Sequence, residues 1–349
     1  PIEKKYEIVI FLKSSESRAL ILESWYEFFI NKNNKNVLLS HSPYYRNYGQ
    51  NLNIVFGSCK PNLYSISHQL KKKIIESNLN YVINESSLLG RGKVYEDDSK
   101  VLWHRIGLNG FLANENAFLP LEFCNPKRLD EVLSQKNLII RPWKPGGEHI
   151  LIALQIPGDA ALLGQDILDW AINIIKKIRT ISNKKIILRK PQLKRIYKKE
   201  FLDKMLSFGN IEIQNGTFDN LKPTLINSFF TCTYTSGLGI DSIINGIPVV
   251  VDHPGSFVYE LRTDLVEALN GNYNLPDRTN VFIKLASAEH SLKDVKEGKT
   301  FENIEKIINL KKKINFNLIW ILFKNQLSGN NTKVDEEIKF LYDLAIVLL

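Results

Sequence analysis

Short apolar runs alternate with segments of helical periodicity in the first part of the chain. The helical segments are Ser17–Ile30 and Tyr64–Ile75. The apolar runs have the length of buried strands and cover 7–12, 37–40, 53–57 and 81–83. Strands that alternate with helices favour a parallel sheet covered by helices. The pattern loosens after Asn84, and Arg141–Gly147, with two prolines and two glycines, is the best candidate for a linker.

The same alternation resumes after the linker. Strands are predicted over 149–155, 185–188, 211–213, 229–234 and 248–251. Helices are predicted over 166–181, 193–208, 220–227 and 238–245. The sequence therefore predicts an α/β fold of two Rossmann-like domains facing a central cleft, followed by C-terminal helices. The expected boundaries are 1–145 for the first domain, 146–310 for the second and 311–349 for the C-terminal helices.

The richest motif lies between Thr231 and Gly255. A buried strand is predicted to end at Tyr234, and Thr235-Ser236-Gly237 then turns into a short helix that contains Asp241. A helix start exposes N–H groups, and glycines let a phosphate approach the backbone. Gly246-Ile-Pro-Val-Val leads into the next strand, and Asp252-His-Pro-Gly follows it. Ligands of such sheets bind at this edge, where the parallel strands end.

This order of residues resembles the donor-binding end of GT-B glycosyltransferases, particularly the capsule-polysaccharide and Kdo-transferase-like group. It is also similar to nucleotide-sugar epimerases of the same fold. The resemblance covers about residues 150–260, and Asp241 stands where the family usually has Glu. It implies a GT-B-like fold and a nucleotide sugar, expected to be a UDP-sugar, that acts as a co-substrate, with no further cofactor.

The resemblance also implies which residues bind the donor. Thr235, Ser236 and Gly237 would hold its phosphates, and Asp241 would contact a donor hydroxyl. Further candidates at the cleft are Gly158, Asp159, Arg189, Lys190 and His253. Arg189 and Lys190 would face the phosphates or a sugar acid, since an Arg binds phosphate with two hydrogen bonds. Each of these residues also fits an ordinary role, as a turn residue or a surface charge.

A transfer that inverts the anomeric carbon needs a general base near the acceptor hydroxyl. The candidates in the first domain are His41 and Glu85, which follow predicted strands, and His104, which is flanked by Trp103 and Arg105. The acidic pair Asp97-Asp98 is a further candidate. Each of them also fits a structural role. Metal ligands are not predicted, because no convincing Asp-x-Asp loop is present and Cys59, Cys124 and Cys232 lack metal-ligand spacing.

The charge bears on the acceptor. The net charge is +9, and the segment from Lys184 to Lys204 carries nine Lys or Arg residues against two acidic ones. Such a patch attracts polyanions, or else simply keeps the surface solvated. In size, charge and lack of a membrane anchor the chain resembles certain phage glycosyltransferases, which add sugars to hydroxymethylated pyrimidines in DNA. That resemblance implies duplex DNA as a partner.

Several alternatives stay open at this point. One is a capsule or lipopolysaccharide transferase acting on a glycan, another is an epimerase, and a third is a nucleic-acid-binding protein without catalysis. The longest apolar run near the C-terminus, Leu318–Phe323, is too short to span a bilayer. No membrane insertion and a cytoplasmic location are therefore expected, and the sequence makes no prediction of the oligomeric state.

Overall fold

The structure is a computed structural model that describes residues 6–12, 16–40, 48–57, 66–90, 103–191 and 197–312. Its strands are β1 (Ile8–Phe11), β2 (Val37–Ser40), β3 (Leu52–Phe56), β4 (Tyr81–Ser86), β5 (Trp103–Leu108), β6 (His149–Ala153), β7 (Lys185–Lys190), β8 (Ile211–Asn215), β9 (Ser228–Thr233), β10 (Val249–Val251) and β11 (Glu289–Ser291). They form two sheets, so the predicted fold class of two Rossmann-like α/β domains is confirmed.

The helices cover both sheets. They are α1 (Glu16–Asn31), α2 (Ile66–Glu76), α3 (Lys127–Gln135), α4 (Ile167–Ile181), α5 (Lys199–Leu206), α6 (Phe218–Ile226), α7 (Leu238–Ile244), α8 (Leu265–Leu269), α9 (Thr279–Ala288), α10 (Leu292–Lys296) and α11 (299–312). A single turn of 3-10 helix, Ala160–Leu162, follows β6 and becomes important for the site.

Helix α4 shows how the sequence specifies these elements. The Asp166 carboxylate accepts hydrogen bonds from the N–H groups of Leu168 and Asp169, at 2.7 and 3.3 Å, which satisfies donors that a helix start leaves free. Apolar residues recur every three or four positions and form one buried face, consisting of Ile167, Ala171, Ile174, Ile175 and Ile178. This face covers β6, whose five residues are all buried.

The second sheet is entirely parallel and has the strand order β10-β9-β6-β7-β8. This is the order of a doubly wound nucleotide-binding domain, in which the chain starts in the middle of the sheet and winds first to one side and then to the other. The direction of winding reverses between β6 and β9. At such a switch point the connections after the two strands diverge and leave a crevice at the carboxyl edge of the sheet.

The first sheet has the order β11-β5-β4-β3-β1-β2. Its strands β1 to β4 are parallel, as the alternation predicts, whereas β5 and β11 are antiparallel to their neighbours. Strand β11 belongs to a segment that the expected boundaries place in the second domain. After the second sheet is complete, the chain therefore returns to the first sheet, and Phe301 of α11 packs on Phe28 of α1, with ring centroids 5.4 Å apart.

An apolar cluster joins the two domains. It combines Trp103 of β5 and Val132 of α3 with residues of α7, β10 and α9, among them Ile240, Val251 and Phe282, all of which are buried. The predicted linker runs beside it, because the N–H groups of Arg141 and Lys144 donate to the carbonyls of Ile244 and Gly246. The two expected boundaries at 145 and 310 remain predictions, and residues 313–349 lie outside the described part of the chain.

Candidate functional site at the switch point

The carboxyl ends of β6 and β9 are joined by a side-chain hydrogen bond network. Gln155 follows β6 and Thr235 follows β9. The Gln155 Oε1 atom accepts the N–H of Thr235 at 3.0 Å, and the Gln155 Nε2 atom donates to the Thr235 hydroxyl at 3.0 Å. The hydroxyl of Thr235 donates in turn to the carbonyl of Ala161 at 2.8 Å. The switch point is thus a crevice whose two sides are held in a fixed relation.

The turn between β9 and α7 satisfies most of its own backbone donors. The Ser236 hydroxyl accepts the N–H of Leu238 at 3.2 Å, and the N–H groups of Gly239 and Ile240 donate to carbonyls of the same turn. Helix α7 has only seven residues. The turn therefore presents chiefly side-chain hydroxyls, rather than a row of free N–H groups, to a ligand in the crevice.

The two glycines of this turn differ in what surrounds them. A Cβ atom at Gly239 would lie 2.8 Å from Cγ2 of Val258, so this glycine is required for close packing of α7. A Cβ atom at Gly237 would meet Cδ2 of Leu88 at 3.5 Å, which is an ordinary contact. Leu88 belongs to the loop after β4, so Gly237 lies where the first domain meets the carboxyl edge of the second sheet.

The guanidinium of Arg189 is bound by neighbouring groups of the second domain. Its guanidinium donates to Oε1 of Gln214, Oδ1 of Asn220 and the carbonyl of Thr217, each at 2.6 Å. Burial lowers the pKa of Arg189, and the nearby carboxylate of Asp241 opposes that shift. The side chain therefore fastens the β8–α6 connection to β7. Lys190, the last residue of β7, is half-buried beside it.

The loop after β6 is organised around Asp159. Its carboxylate accepts the N–H of Ala161 at 3.0 Å and so begins the 3-10 turn Ala160–Leu162. Gly158 takes a positive φ of 72°, a conformation that glycine adopts without strain, at the exposed tip of the loop. The carboxylate of Asp159 therefore stabilises the 3-10 turn, and Gly158 provides the positive φ that the loop requires.

His253 lies at the carboxyl edge of β10 in one fixed tautomer. Its Nδ1 atom accepts the N–H of Gly255 at 3.0 Å, so the neutral ring carries its proton on Nε2. The ring packs against Tyr234, with centroids 5.1 Å apart and planes tilted by 35°. Next to this pair, the indole of Trp170 donates to the carboxylate of Asp252 at 2.7 Å. The half-buried Nε2–H of His253 is thus a donor close to the crevice.

The acid–base candidates of the first domain do not share a face of the sheet. Glu85 pairs with Arg105 across β4 and β5, and Ser86 pairs with His104, so the side chains of Glu85 and His104 point to opposite faces. His104 is buried with its ring edge against Phe56, and burial lowers its pKa to about 4. His41, Asp97 and Asp98 lie outside the described residues.

Glu85 is on the face that meets the second domain. Both Oε1 of Glu85 and the ammonium of Lys71 lie within 4 Å of the position a Cβ atom would take at Gly57. Arg105, opposite Glu85, has its guanidinium over Phe111 of the first domain and Phe257 of the second, 5.7 and 5.3 Å from the ring centroids. Of the described acid–base candidates, Glu85 is therefore the one beside the domain junction.

A cavity of about 290 Å³ opens between the domains on this side. Its walls come from the first sheet and α2, with Ile74, Ile83 and Phe111, and from the loop after β6, with Ala160 and Leu163. The loop that forms one side of the crevice is therefore backed by open space as well as by side chains of the first domain.

Sequence reasoning missed Gln155 and Arg105. The only signal for Gln155 was a polar residue at the end of the predicted strand 149–155. Arg105 lay in a mixed segment that was not predicted to be a strand. Within the described ranges, no helix is both long and apolar enough to cross a bilayer. Nor do three or more His, Cys, Asp or Glu side chains of that part of the chain gather as metal ligands would.

No protein-family model matches the sequence, and no curated protein matches it either. Among solved structures, the chain is similar to the β-Kdo 2,4-transferase of KpsC from Thermosulfurimonas dismutans, with 16% identity, coverage of 82% of this chain and 91% of that one, and a TM-score of 0.49. It is also similar to the β-Kdo 2,7-transferase of the same KpsC, with 14% identity, coverage of 86% of this chain and 100% of that one, and a TM-score of 0.45. A third similar structure is S. aureus TarM in complex with fondaparinux, α-GlcNAc-glycerol and UDP, with 15% identity, coverage of 80% of this chain and 52% of that one, and a TM-score of 0.34.

Proposed function

We propose that the chain is a glycosyltransferase that moves a sugar from a nucleotide-sugar donor to an acceptor hydroxyl. The observation that carries this proposal is the switch point between β6 and β9, which has the strand order of a nucleotide-binding domain and is covered by the first domain. Leu88 packs over Gly237, and the N–H of Ala113 donates to the carbonyl of Gly255 at 3.1 Å. A donor in the crevice would therefore face residues of both domains.

The described residues include candidates for the two functions that such a transfer needs. The leaving diphosphate requires hydrogen-bond donors, and the hydroxyl of Ser236 and the Nε2–H of His253 are available at this edge. The acceptor hydroxyl requires a base, and of the predicted acid–base candidates that the structure describes, Glu85 is the carboxylate beside the junction. In this proposal the acceptor oxygen loses its proton to Glu85 and attacks the anomeric carbon while the nucleoside diphosphate departs.

For the acceptor we favour a hydroxyl of a glycan over a hydroxymethylated pyrimidine in duplex DNA. Three cations of the basic segment are already engaged within the protein. Arg189 is buried, Lys185 pairs with Glu212 at 2.7 Å, and the ammonium of Lys184 lies 4.3 Å from the ring centroid of Phe229. A DNA-binding face needs several exposed cations side by side, and this engagement lowers the number available in that segment.

The proposal is tested by incubating the protein with a panel of nucleotide sugars and three kinds of acceptor. These are duplex DNA with hydroxymethylated pyrimidines, a set of neutral and acidic oligosaccharides, and no acceptor at all. Mass spectrometry of the digested products should show a gain of one sugar residue on an oligosaccharide. A gain on a nucleoside would instead support the DNA acceptor, and conversion of the donor alone would support an epimerase.

The assay has a matched pair of variants. Thr235→Val removes a hydroxyl that bridges the crevice, whereas Thr233→Val removes one that has no hydrogen-bond partner among the described residues. Transfer should fall at least tenfold in the first variant and stay unchanged in the second. Failure of every donor to bind the wild-type protein would overturn the proposed activity.

A further inference from the structure

Gln155 is the residue through which the two sides of the crevice are connected. Its side chain is half-buried and reaches Thr235, the second residue after β9. Its own carbonyl accepts a hydrogen bond from the hydroxyl of Tyr197 at 2.6 Å, which fixes the backbone from which the side chain projects. Hydrogen bonds therefore hold both the backbone carbonyl and the side-chain amide of Gln155 in place.

The backbone of Thr235 determines the orientation of the Gln155 amide. The backbone N–H of Thr235 can only donate, so the amide atom facing it must be Oε1 of Gln155. The other amide atom, Nε2, donates to the hydroxyl of Thr235, and the hydroxyl proton has the carbonyl of Ala161 at 2.8 Å as its nearer acceptor and Oε1 of Gln155 at 3.2 Å as its farther one. Gln155 thus fixes where the Thr235 hydroxyl points.

The network ends at the contact between the domains. Ala161 belongs to the 3-10 turn Ala160–Leu162, and Ala160 is buried in a cluster with Ile83 and Phe111 of the first domain. The cavity described above lies behind the same turn. Gln155 is therefore linked by two hydrogen bonds, through the hydroxyl of Thr235, to residues that pack on the first domain.

We propose that Gln155 is a positioning residue of the donor site, and that its uncharged amide is required because the anionic group of the donor lies beside it. This rests on the proposed function, since it assigns a role within the same crevice. Ligands of doubly wound sheets bind where β6 and β9 diverge, which is the position of the Gln155 side chain. A carboxylate in place of the amide would still accept the hydrogen bond from the N–H of Thr235, but its negative charge would repel a phosphate.

Gln155→Glu is the sharpest test, because the two side chains have nearly the same shape. With UDP as the probe, calorimetry at low ionic strength should show an affinity about tenfold weaker than in the wild type, and the difference should shrink as salt is added. Gln155→Leu, which removes the network without adding charge, should weaken UDP binding by a factor that does not depend on salt. Thr233→Val is the control and should bind UDP as the wild type does.

The outcomes separate this inference from the activity on which it rests. If the wild type binds UDP and Gln155→Glu binds it equally tightly at low salt, no anion lies beside Gln155 and the inference is wrong. If the wild type binds neither UDP nor any other nucleotide of a panel, the proposed function fails and takes the inference with it. Melting temperatures identify variants that are merely unstable, and Gln155→Glu remains informative if Gln155→Leu does not fold.

Discussion

The ammonium of Lys136 lies 2.6 Å from a carboxylate oxygen of Glu289, and each of the two side chains is only 1% exposed. Glu289 is the first residue of β11, the strand with which the chain returns to the first sheet. The other carboxylate oxygen of Glu289 accepts the N–H groups of Leu88 and Leu89, and Lys136 also donates to the hydroxyl of Ser87. The same loop packs over the crevice, so this buried pair helps to define how the two domains meet.

Removing one member of this pair should destabilise the protein strongly. Burial lowers the pKa of Lys136, and the Glu289 carboxylate opposes that shift. Lys136→Met would leave the Glu289 carboxylate buried without its countercharge, at a cost of about 3–5 kcal/mol in the free energy of unfolding. Urea denaturation measures this change. The double variant Lys136→Met/Glu289→Leu should be more stable than Lys136→Met, and an equal or larger loss in the double variant would contradict the explanation.

The buried histidines should make stability depend on pH. Burial lowers the pKa of His104 and of His290 to about 4, whereas an unfolded histidine titrates near 6.5. The unfolded chain therefore binds more protons than the folded one between pH 6.5 and 4, and the free energy of unfolding falls as the pH is lowered through this range. The slope is on the order of 1 kcal/mol per pH unit for each histidine.

The variant His104→Leu tests this assignment. Denaturation curves recorded between pH 7 and pH 4.5 should show a shallower decline for the variant than for the wild type, because one of the buried histidines with a lowered pKa is gone. Parallel declines would mean that His104 does not contribute to the pH dependence.

Glu85 and His104 should differ in their effect on transfer. Glu85→Gln removes the proposed base and should lower kcat by a factor of about 10² to 10⁴ with little change in the donor KM. His104→Leu alters a side chain on the opposite face of the sheet and should leave kcat within about threefold. Steady-state kinetics with saturating donor distinguishes the two. A large loss of kcat in His104→Leu, without a loss of folded protein, would assign the role to His104 instead.

The two glycines at the start of α7 should separate packing from binding. Gly239→Ala places a methyl group 2.8 Å from Val258 and should cost about 1–3 kcal/mol of stability. Gly237→Ala meets Leu88 at an ordinary distance and should be tolerated by the fold, while any effect on UDP affinity would report a ligand near this turn. Val258→Ala in the background of Gly239→Ala should recover part of the lost stability, and no recovery would argue against the steric explanation.

The sequence predicted the repeating architecture well because buried parallel strands are continuous apolar runs. His149–Ala153 and Val249–Val251 are examples. It missed β5 and β11, whose residues include Arg105 and Glu289. Arg105 has its guanidinium over the ring of Phe257, and Glu289 is buried in an ion pair with Lys136. Both partners lie far away in the sequence. The local pattern of apolar and polar residues therefore cannot predict these strands.

The candidate site was predictable in position more than in detail. The Thr-Ser-Gly turn after β9 is where the pattern places it. The hydrogen bonds of Arg189 to Gln214 and Asn220 could not be predicted, because no local rule connects these residues to it. Gln155 is a single polar residue, and only the strand order shows that its position is the switch point.

Hydrogen–deuterium exchange of the full chain, with and without saturating UDP-sugar, tests the location of the donor site most directly. A donor at the switch point should slow exchange in the segments after β6 and β9, residues 154–163 and 234–241, with little change in α5 or β8 at the far side of the sheet. If bound donor leaves both segments unchanged, or protects a region away from the switch point, the donor site does not lie at the switch point.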